Sequence, residues 1–287
     1  MKILVTGSGT LIGNNIANYL LKKGHFIFAS YNKSKPKNLI NFKNCKLIKV
    51  NLEKKIKFKK NFDALIHCAS KIPNDKINKK NFNANIKMTN NLMALCKQIN
   101  CKRIIYLSTM SVYGAIKSKL VNENLKTNNI DLYGLSKKVS ENKITTFAKN
   151  NYSIATIFRL PGVVGKNSKY NFLSNILKRI KNNQQITFSN ANSKFNNVVN
   201  INNLSEIICK SINKEKSSKI YNLASTKPLK IKSIINLFYK KIKKTKNYTI
   251  EKKYNNSFLI CTKKIRENHY KLYSTRKSIL EFIKINQ

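Results

Sequence analysis

The chain has 287 residues, of which 41% are hydrophobic, and its 57 basic and 11 acidic side chains give a formal net charge of +46. That apolar content supports a sizeable core and excludes a disordered chain, and no apolar run is long enough to span a membrane. The charge suggests a nucleic-acid binder or a membrane-surface protein. The lysines, however, lie in loops and on every predicted helix face without interleaved aromatic residues, which favours a bias in residue usage. In either case, the positive field should attract anionic ligands such as phosphates.

The cysteines and the start of the chain indicate its environment. The six cysteines include no C-x-x-C pair, and Met1-Lys2 leads directly into the apolar Ile3-Leu4-Val5 without a secretory signal. We therefore expect reduced thiols, no metal site and a cytoplasmic protein.

The first elements predict a phosphate-binding unit. Lys2–Thr6 is an apolar strand, followed by a glycine-rich turn at Gly7–Gly13. A helix is predicted at Asn14–Lys23 and a second strand at His25–Ser30. Backbone N–H groups at the start of such a helix bind phosphate, so we predict a cofactor turn rather than a plain tight turn. The glycine spacing fits G-x-G-x-x-x-G, or G-x-x-G-x-x-G with Thr10 at the middle glycine.

The end of the second strand concerns the choice of dinucleotide. A carboxylate here would bind the ribose 2′-hydroxyl of NAD, but the chain has Tyr31-Asn32-Lys33. Asn32 and Lys33 would instead accommodate a 2′-phosphate. The pattern therefore leans weakly towards NADP and leaves NAD open.

The next elements are two strands and a long helix, predicted at Cys45–Leu52, Asp63–Ser70 and Asn85–Ile99. We interpret His67 as a packing residue at a strand end, with a catalytic base as the alternative. Asn85 is either a functional polar residue or a cap at the helix start.

A fifth strand, Arg103–Leu107, leads into the hydroxyl-rich segment Ser108-Thr109-Met110-Ser111. Hydroxyl groups at the carboxyl end of a parallel strand point into the ligand crevice of an α/β sheet. This segment is therefore a candidate site.

A tyrosine and a lysine four residues apart, Tyr133 and Lys137, begin the next predicted helix. Residues i and i+4 lie on one helix face, so the phenol and the amine can reach one site. A free tyrosine has a pKa of about 10, and a nearby ammonium lowers it by favouring the phenolate. The pair therefore suits proton transfer to or from an alcohol or carbonyl oxygen.

The second half alternates strands and helices without a repeat or a linker. The predicted elements are strands at 155–160, 186–188 and 248–254 and helices at 172–180, 203–213, 231–242 and 274–285. Arg179, Arg266 and Arg276 are either diphosphate clamps or solvated surface charges.

The motifs, in their order and spacing, resemble the extended short-chain dehydrogenase/reductase family, in its NAD-dependent epimerase/dehydratase group that acts on nucleotide sugars. The matching pieces lie within residues 1 to 225. They are Thr6-Gly7-x-x-x-x-Ile12-Gly13, Asp63–Ser70, Asn85 with Asn90-Asn91-Leu92, Ser108-Thr109-x-x-Val112-Tyr113-Gly114, Tyr133-x-x-x-Lys137 with Glu141, Arg159-Leu160-Pro161-Gly162-x-x-Gly165, the segment 197–204, and Tyr221-Asn222-Leu223.

The resemblance implies roles for individual residues. Tyr133 matches the general acid/base, Lys137 the residue that binds the nicotinamide ribose and lowers the tyrosine pKa, and Thr109 the hydroxyl that holds the reacting oxygen. Together with Asn32 and Lys33, the expected cofactor-binding residues are Gly7, Thr10, Leu11, Ile12, Gly13, Asn51, Leu52, Ala69, Ser70, Lys71, Asn85, Tyr133, Lys137 and Pro161.

Some positions depart from the family pattern. Met110-Ser111 stands where sugar-nucleotide dehydratases have Asp-Glu, which argues against 4,6-dehydration. Gly162 stands where many epimerases have an asparagine that contacts the substrate diphosphate. Asn51, Asn200 and Asn203 replace Asp, His and Asp.

We expect an α/β fold with a doubly wound parallel Rossmann sheet and a small C-terminal substrate-binding lobe. The NAD(P)-binding domain is placed at residues 1–165, with 196–225 returning to it, and the lobe at 166–195 and 226–287. The expected function is epimerase or reductase chemistry on a nucleotide-activated sugar. Family members often dimerise, so a homodimer is possible. The alternatives are a non-catalytic NADP-binding sensor or scaffold and a nucleic-acid binder.

Overall fold

The computed structural model describes residues 1–56, 58, 60–72, 79–169, 171–252 and 256–287. The strands are β1 Lys2–Thr6, β2 Phe26–Tyr31, β3 Cys45–Lys49, β4 Ala64–His67, β5 Arg103–Thr109, β6 Leu120–Val121, β7 Ile154–Leu160, β8 Gly162–Val164, β9 Ile186–Phe188, β10 Lys194–Phe195, β11 Val198–Asn200, β12 Lys219–Asn222, β13 Leu229–Lys230, β14 Tyr248–Ile250 and β15 Leu259–Ile260. The helices are α1 Leu11–Lys22, α2 Lys79–Gln98, α3 Leu132–Asn150, α4 Phe172–Lys181, α5 Ile201–Lys214, α6 Ile231–Ile242, α7 Lys263–Glu267 and α8 Thr275–Lys284, with 3₁₀ turns at Lys37–Leu39 and Met110–Tyr113.

A seven-stranded parallel sheet has the order β12-β7-β5-β4-β1-β2-β3. The strand order reverses beside β1, which pairs with β2 on one side and with β4 on the other. A crevice forms at such a reversal, at the carboxyl ends of the strands. The expected doubly wound sheet is confirmed.

Alternate side chains of the strands serve two faces of the sheet, as the strand period of two requires. On one face, Leu4 and Leu65 join a core with Leu92 and Met93 of α2 and Ile144 of α3. Helices α2 and α3 therefore cover this face together.

The chain folds into two compact units. The first comprises Met1–Ala115, Lys126–Arg159 and Leu204–Tyr221 and holds most of the large sheet. The second comprises Ile116–Leu125, Leu160–Asn203 and Asn222–Gln287. The segment Ile116–Leu125 has no sequence pattern that predicted its place in this unit.

The second unit has its own apolar core. Ile176 and Leu177 of α4, Phe238 of α6 and Phe282 of α8 belong to this cluster. Short strand pairs, β8–β11, β9–β14, β10–β13 and β6–β15, also belong to this unit. Most of these two- or three-residue strands lacked a periodic pattern long enough to predict.

Several predicted boundaries need correction. The strand predicted at Cys45–Leu52 ends at Lys49, and the strand predicted at Asp63–Ser70 spans Ala64–His67. The first helix, predicted from Asn14, begins at Leu11.

The helix predicted from Asn85 begins at Lys79, so Asn85 lies inside α2 and is not a cap at its start. The polar residues before Asn85 hid the first turns, because they interrupt the apolar pattern. The strand predicted at 248–254 extends over Tyr248–Ile250, and residues 253–255 lie outside the described residues.

No helix of the described ranges combines the length and apolar character needed to cross a membrane.

Candidate active site

The glycine-rich turn between β1 and α1 is held by close backbone approaches. Gly7 has φ +68°, and a Cβ there would lie 2.9 Å from the backbone of Ala69. A Cβ on Gly13 would lie 2.3 Å from the carbonyl oxygen of Gly7, and one on Gly9 would lie 2.0 Å from that of Ser34. All three positions therefore exclude a side chain, which favours the G-x-G-x-x-x-G spacing.

Thr10 performs a different task, as the N-cap of α1. Its Oγ1 accepts a hydrogen bond from the Gly13 N–H at 3.3 Å and donates to the Gly7 carbonyl at 2.8 Å. Among the described residues, the N–H groups of Leu11 and Ile12 have no backbone acceptor. No acidic residue lies in this first turn, so these N–H groups form a site suited to a phosphate.

A cleft of about 270 Å³ lies beside this turn, at the carboxyl ends of β1 to β4. Most of the expected cofactor-binding positions from these loops line it. Those lining residues are Gly7, Thr10, Asn32, Lys33, Asn51, Leu52, Ala69, Ser70 and Lys71. The structure thus brings together residues that lie more than 60 positions apart in the sequence.

Further lining residues were not predicted from the sequence. Glu53 pairs with Lys71 across 3.2 Å, which joins the loops that follow β3 and β4. The Glu53 N–H donates to the Asn51 side-chain oxygen at 3.0 Å. An asparagine followed two positions later by a carboxylate, just after a strand, was a weak signal for this turn.

Ser30 also lines the cleft, at the end of β2. Its side chain is buried, and its Oγ has no hydrogen-bond partner among the described residues. A buried hydroxyl without a partner is costly, so a polar ligand in the cleft would relieve it. The phosphate-binding turn, the cleft and this hydroxyl together fit a dinucleotide.

Asn85 lies behind the cleft and joins three segments. Its Oδ1 accepts from the Lys71 N–H at 2.7 Å, and its Nδ2 donates to the Lys71 carbonyl at 3.2 Å and to the Ser136 hydroxyl at 3.0 Å. Since the Ser136 hydroxyl donates to the Tyr133 carbonyl at 2.8 Å, Asn85 links the cleft to the first turn of α3. This position supports the functional rather than the capping interpretation.

Tyr133 lies half-buried in the first turn of α3. Asp131 caps this helix by accepting from the Gly134 N–H at 2.6 Å. A Cβ on Gly134 would lie 2.1 Å from the Ser111 carbonyl, so glycine is needed for the helix start to contact the segment after β5. This contact brings Tyr133 close to the Thr109 segment.

The pKa of Tyr133 is raised above its usual value, because burial disfavours the phenolate more than a hydrogen bond from Ser70 favours it. This direction is opposite to the lowering that we expected from Lys137.

Lys137 is fully buried one turn along α3. Its Nζ lies 4.2 Å from the centre of the Tyr106 ring, and burial lowers its pKa to about 7, against the opposing effect of Glu141. Thr109 caps the following 3₁₀ turn by accepting from the Ser111 N–H at 3.2 Å. In the described part of the chain, no hydrogen bond joins Tyr133, Lys137 and Thr109 directly, so the structure places them on adjoining segments without bonding them.

His67 is buried and bonded to Thr6 at the end of β4. Thr6 Oγ1 accepts from the N–H groups of Cys68 and Ala69, so its own proton is directed to His67 Nδ1, 2.9 Å away. Burial lowers the pKa of His67 to about 3, and Lys137 adds to the effect. A neutral, buried imidazole bonded to Thr6 agrees with the packing interpretation.

The remaining predicted residues lie in the second unit. Pro161 follows β7 there and is half-buried. Arg179 is exposed and donates to the Gln185 carbonyl at 2.9 Å, and Arg266 and Arg276 are exposed as well.

Comparison with known proteins gives a consistent pattern. A model of the NAD dependent epimerase/dehydratase family matches residues 3–224. The chain is 25% identical over 293 residues to Protein CapI of Staphylococcus aureus, with 86% of each chain covered. It is 27% identical over 204 residues to a putative UDP-glucose 4-epimerase of Methanocaldococcus jannaschii, covering 66% of this chain and 67% of the relative.

Solved structures share the fold over the whole chain. The UDP-N-acetylglucosamine 4-epimerase from Bacillus cereus superposes with a TM-score of 0.83 at 19% identity, covering 99% of both chains. The Bordetella bronchiseptica enzyme WbmG, solved in complex with NAD, has a TM-score of 0.82 at 16% identity, covering 99% of this chain and 93% of WbmG. At these identities the likeness establishes the fold.

Proposed function

Because the chain belongs to the NAD dependent epimerase/dehydratase family, we propose that it is an epimerase or reductase that acts on a hydroxyl or keto carbon of a nucleotide-activated sugar. The family agrees with the sequence motifs and with the expectation of an NAD-dependent enzyme. The proposal extends this family membership to a substrate and to roles for individual residues.

One observation carries the proposal. The first turn of α3, which bears Tyr133, is fixed on one side to the cleft loop through Asn85 and on the other to the segment after β5 through Gly134. Tyr133 is thereby held beside Ser70, which lines the cleft. The buried amine of Lys137 follows one turn along the same helix, and the Thr109 hydroxyl lies on the adjoining segment. That arrangement suits proton transfer beside a bound nicotinamide.

The chain's own residues would divide the acid/base work. Tyr133 takes the proton of the sugar hydroxyl, and Thr109 holds the same oxygen by a hydrogen bond. Lys137 supplies positive charge that favours the phenolate and, with Asn85 and Ser70, orients the cofactor ribose. A nicotinamide held by these residues would supply the hydride-transfer chemistry. The pKa of Tyr133 is raised by burial with Lys137 already in place, so the phenolate would need further positive charge near neutral pH, such as that of an oxidised nicotinamide ring.

The relatives support a substrate class. Several similar structures are UDP-sugar 4-epimerases, and one from Methanobrevibacter ruminantium M1 is described in complex with UDP-N-acetylmuramic acid. We propose a UDP-sugar as substrate and residues 166–195 and 226–287 as the lobe that binds it. Met110-Ser111, in place of Asp-Glu, supports epimerisation or reduction over dehydration.

A Tyr133→Phe substitution tests the proposal. Turnover on a panel of UDP-sugars, including UDP-glucose and UDP-N-acetylglucosamine, should fall by about 10²–10⁴ because the proton acceptor is lost. Cofactor binding, measured by fluorescence, should persist. Near-native turnover in this variant would refute the role of Tyr133. Cofactor binding by the native protein without turnover on any sugar would favour a sensor or scaffold.

The lean towards NADP is a separate part of the proposal. Exposed Lys33 lines the cleft at the strand end where a carboxylate would select NAD. Lys33→Ala should weaken NADP binding about 10-fold and leave NAD binding within about twofold. Calorimetric titration with both dinucleotides measures this, and Lys35→Ala on the same loop is the matched control. Equal losses of NAD and NADP affinity in Lys33→Ala would contradict a preference for NADP.

A further inference from the structure

A buried ion pair lies under the catalytic helix. Glu141 of α3 and Arg159 of β7 are 1% and 2% exposed, respectively. Arg159 Nε donates to Glu141 Oε1 at 3.0 Å and Arg159 Nη2 donates to Oε2 at 2.7 Å, which is a bidentate geometry. The pair therefore links α3 rigidly to the sheet.

The same carboxylate holds the segment that carries Thr109. The Ser108 hydroxyl donates to Glu141 Oε1 at 2.5 Å, and Ser108 directly precedes Thr109. Arg159 Nη1 donates to the Tyr113 hydroxyl at 2.7 Å, so the far end of the 3₁₀ turn after β5 is fixed as well. Glu141 thus connects the two segments that bear Tyr133 and Thr109.

Such a pair is not explained by stability alone. Desolvating two charges usually costs as much as their attraction returns, and apolar replacements of similar volume are often neutral or stabilising. A geometric or electrostatic task would account for the charged residues at this place.

The electrostatic task concerns Lys137, one turn before Glu141 on the same face of α3. Among the described residues, the groups recorded as interacting with Lys137 are His67 at the end of β4, Cys68 after it, the Tyr106 ring of β5, and Glu141. Of these, only Glu141 is a carboxylate. Burial lowers the pKa of Lys137, and Glu141 provides the principal opposing effect.

We propose that Glu141 is the positioning residue of this site: its carboxylate fixes Ser108, and hence Thr109, against α3, and it supplies the negative charge opposite Lys137. This inference rests on the proposed function for its catalytic meaning. The geometric and electrostatic parts can be tested without turnover.

The Lys137 part is tested by NMR of protein labelled with ¹³C-lysine. The ε-carbon signal of Lys137, identified by its absence in Lys137→Met, is followed against pH. In Glu141→Gln the midpoint should move down by roughly one pH unit, because the anion opposite the ammonium is lost. Glu281→Gln, which removes a carboxylate from the exposed i,i+4 pair with Lys277, should leave the midpoint unchanged. An unmoved midpoint in Glu141→Gln overturns this part, whatever the enzyme turns over.

Glu141→Gln leaves Arg159 buried without its anion, which opposes folding, so a second variant accompanies it. The double variant Glu141→Gln with Arg159→Gln removes both charges. Loss of the Arg159 cation offsets part of the loss of the anion, so the downward shift should be smaller than in Glu141→Gln. A midpoint above the native one in the double variant would overturn the electrostatic part.

The positioning part is tested with Ser108→Ala, which keeps the charge and removes one bond. We expect kcat to fall about 10-fold with KM nearly unchanged. Thr109 would no longer be held in place to bond the reacting oxygen, whereas ground-state binding of the substrate would remain. The Lys137 midpoint should stay native. A native kcat in this variant overturns the positioning part, whereas no turnover in any form, native included, would instead count against the proposed function.

Discussion

Asparagine side chains repeatedly hold the backbone of another segment by both ends of the amide. Asn85 pairs with the N–H and carbonyl of Lys71, and Asn196 does the same with Ile260, at 3.0 and 2.9 Å. Asn203 accepts from the Tyr273 N–H and donates to the Lys271 carbonyl, each at 2.9 Å. An amide suits this task because it offers a donor and an acceptor side by side. The Asn-for-Asp departure at position 203 thus has a structural reason.

An Asn196→Asp substitution tests this reading of the amide. The carboxylate loses the donor to the Ile260 carbonyl and is buried against it, so we expect a loss of about 1–3 kcal/mol of unfolding free energy. Urea denaturation measures the loss. The control is Asn192→Asp at an exposed position of the same unit, expected to change stability by less than about 0.5 kcal/mol. Equal stabilities of the two variants would contradict the role of Asn196.

The buried amine of Lys137 predicts a pH dependence of stability. Its pKa is about 7 in the folded state, below the ordinary 10.5, so the unfolded chain binds more protons between these values. Relative to Lys137→Met, the native protein should therefore gain stability as pH rises from 7 to 10. The expected gain is on the order of 3 kcal/mol. Denaturation of both proteins across this range measures the difference, and a flat or falling difference would show that the amine is not desolvated.

At the scale of elements, the sequence predicted the helices and strands in which a periodic apolar pattern runs over many residues. It missed the short strands that form only through tertiary pairing. Helix α6 was predicted at its observed bounds, Ile231–Ile242, because its apolar residues recur at helical spacing. The strand–turn–helix at the start was recognised from Gly7 and Gly13. The two-residue strands β6 and β15 pair only with each other and leave no local pattern. Tertiary pairing, which no local pattern encodes, decides them.

The candidate site divides in the same way. Tyr133, Lys137 and the loop residues of the cleft could be found because each lies next to a recognisable motif. Glu53 and Ser30 could not, since their place at the cleft depends on how neighbouring strand ends converge. The direction of the Tyr133 pKa was missed because burial is a property of the packed helix, not of the spacing between two residues.

A Gly13→Ala substitution tests the first strand–turn–helix unit. Its Cβ would lie 2.3 Å from the Gly7 carbonyl, so the turn must open, and we expect at least a roughly 10-fold loss of dinucleotide affinity. Gly24→Ala is the control: it has φ +82° but no atom within 4 Å of a Cβ, so it should cost about 1 kcal/mol of stability and spare affinity. Binding titrations and urea denaturation give the two quantities. Unchanged affinity in Gly13→Ala would reject the turn as a phosphate site.

At the scale of the whole molecule, the charge of +46 acts on every polyanion. We expect weak binding to random DNA at low salt, from counterion release alone. Fluorescence anisotropy should show affinity that does not depend on sequence and falls by about 10³ or more between 50 and 200 mM salt. Tight, sequence-dependent binding that survives at 200 mM salt would instead support a nucleic-acid function.

The paired asparagines also bear on how the protein ages. Deamidation converts asparagine into aspartate without any mutation. At Asn85, Asn196 or Asn203 it would therefore have the same destabilising effect as an Asn→Asp substitution. Flexible Asn-Gly sequences are the usual starting points of this reaction, and no asparagine of this chain precedes a glycine. Hydrogen bonds at both ends of the side-chain amide also restrain its rotation, which hinders the ring closure that deamidation needs. During storage, asparagines in loops should therefore deamidate first, and Asn85, Asn196 and Asn203 should deamidate last.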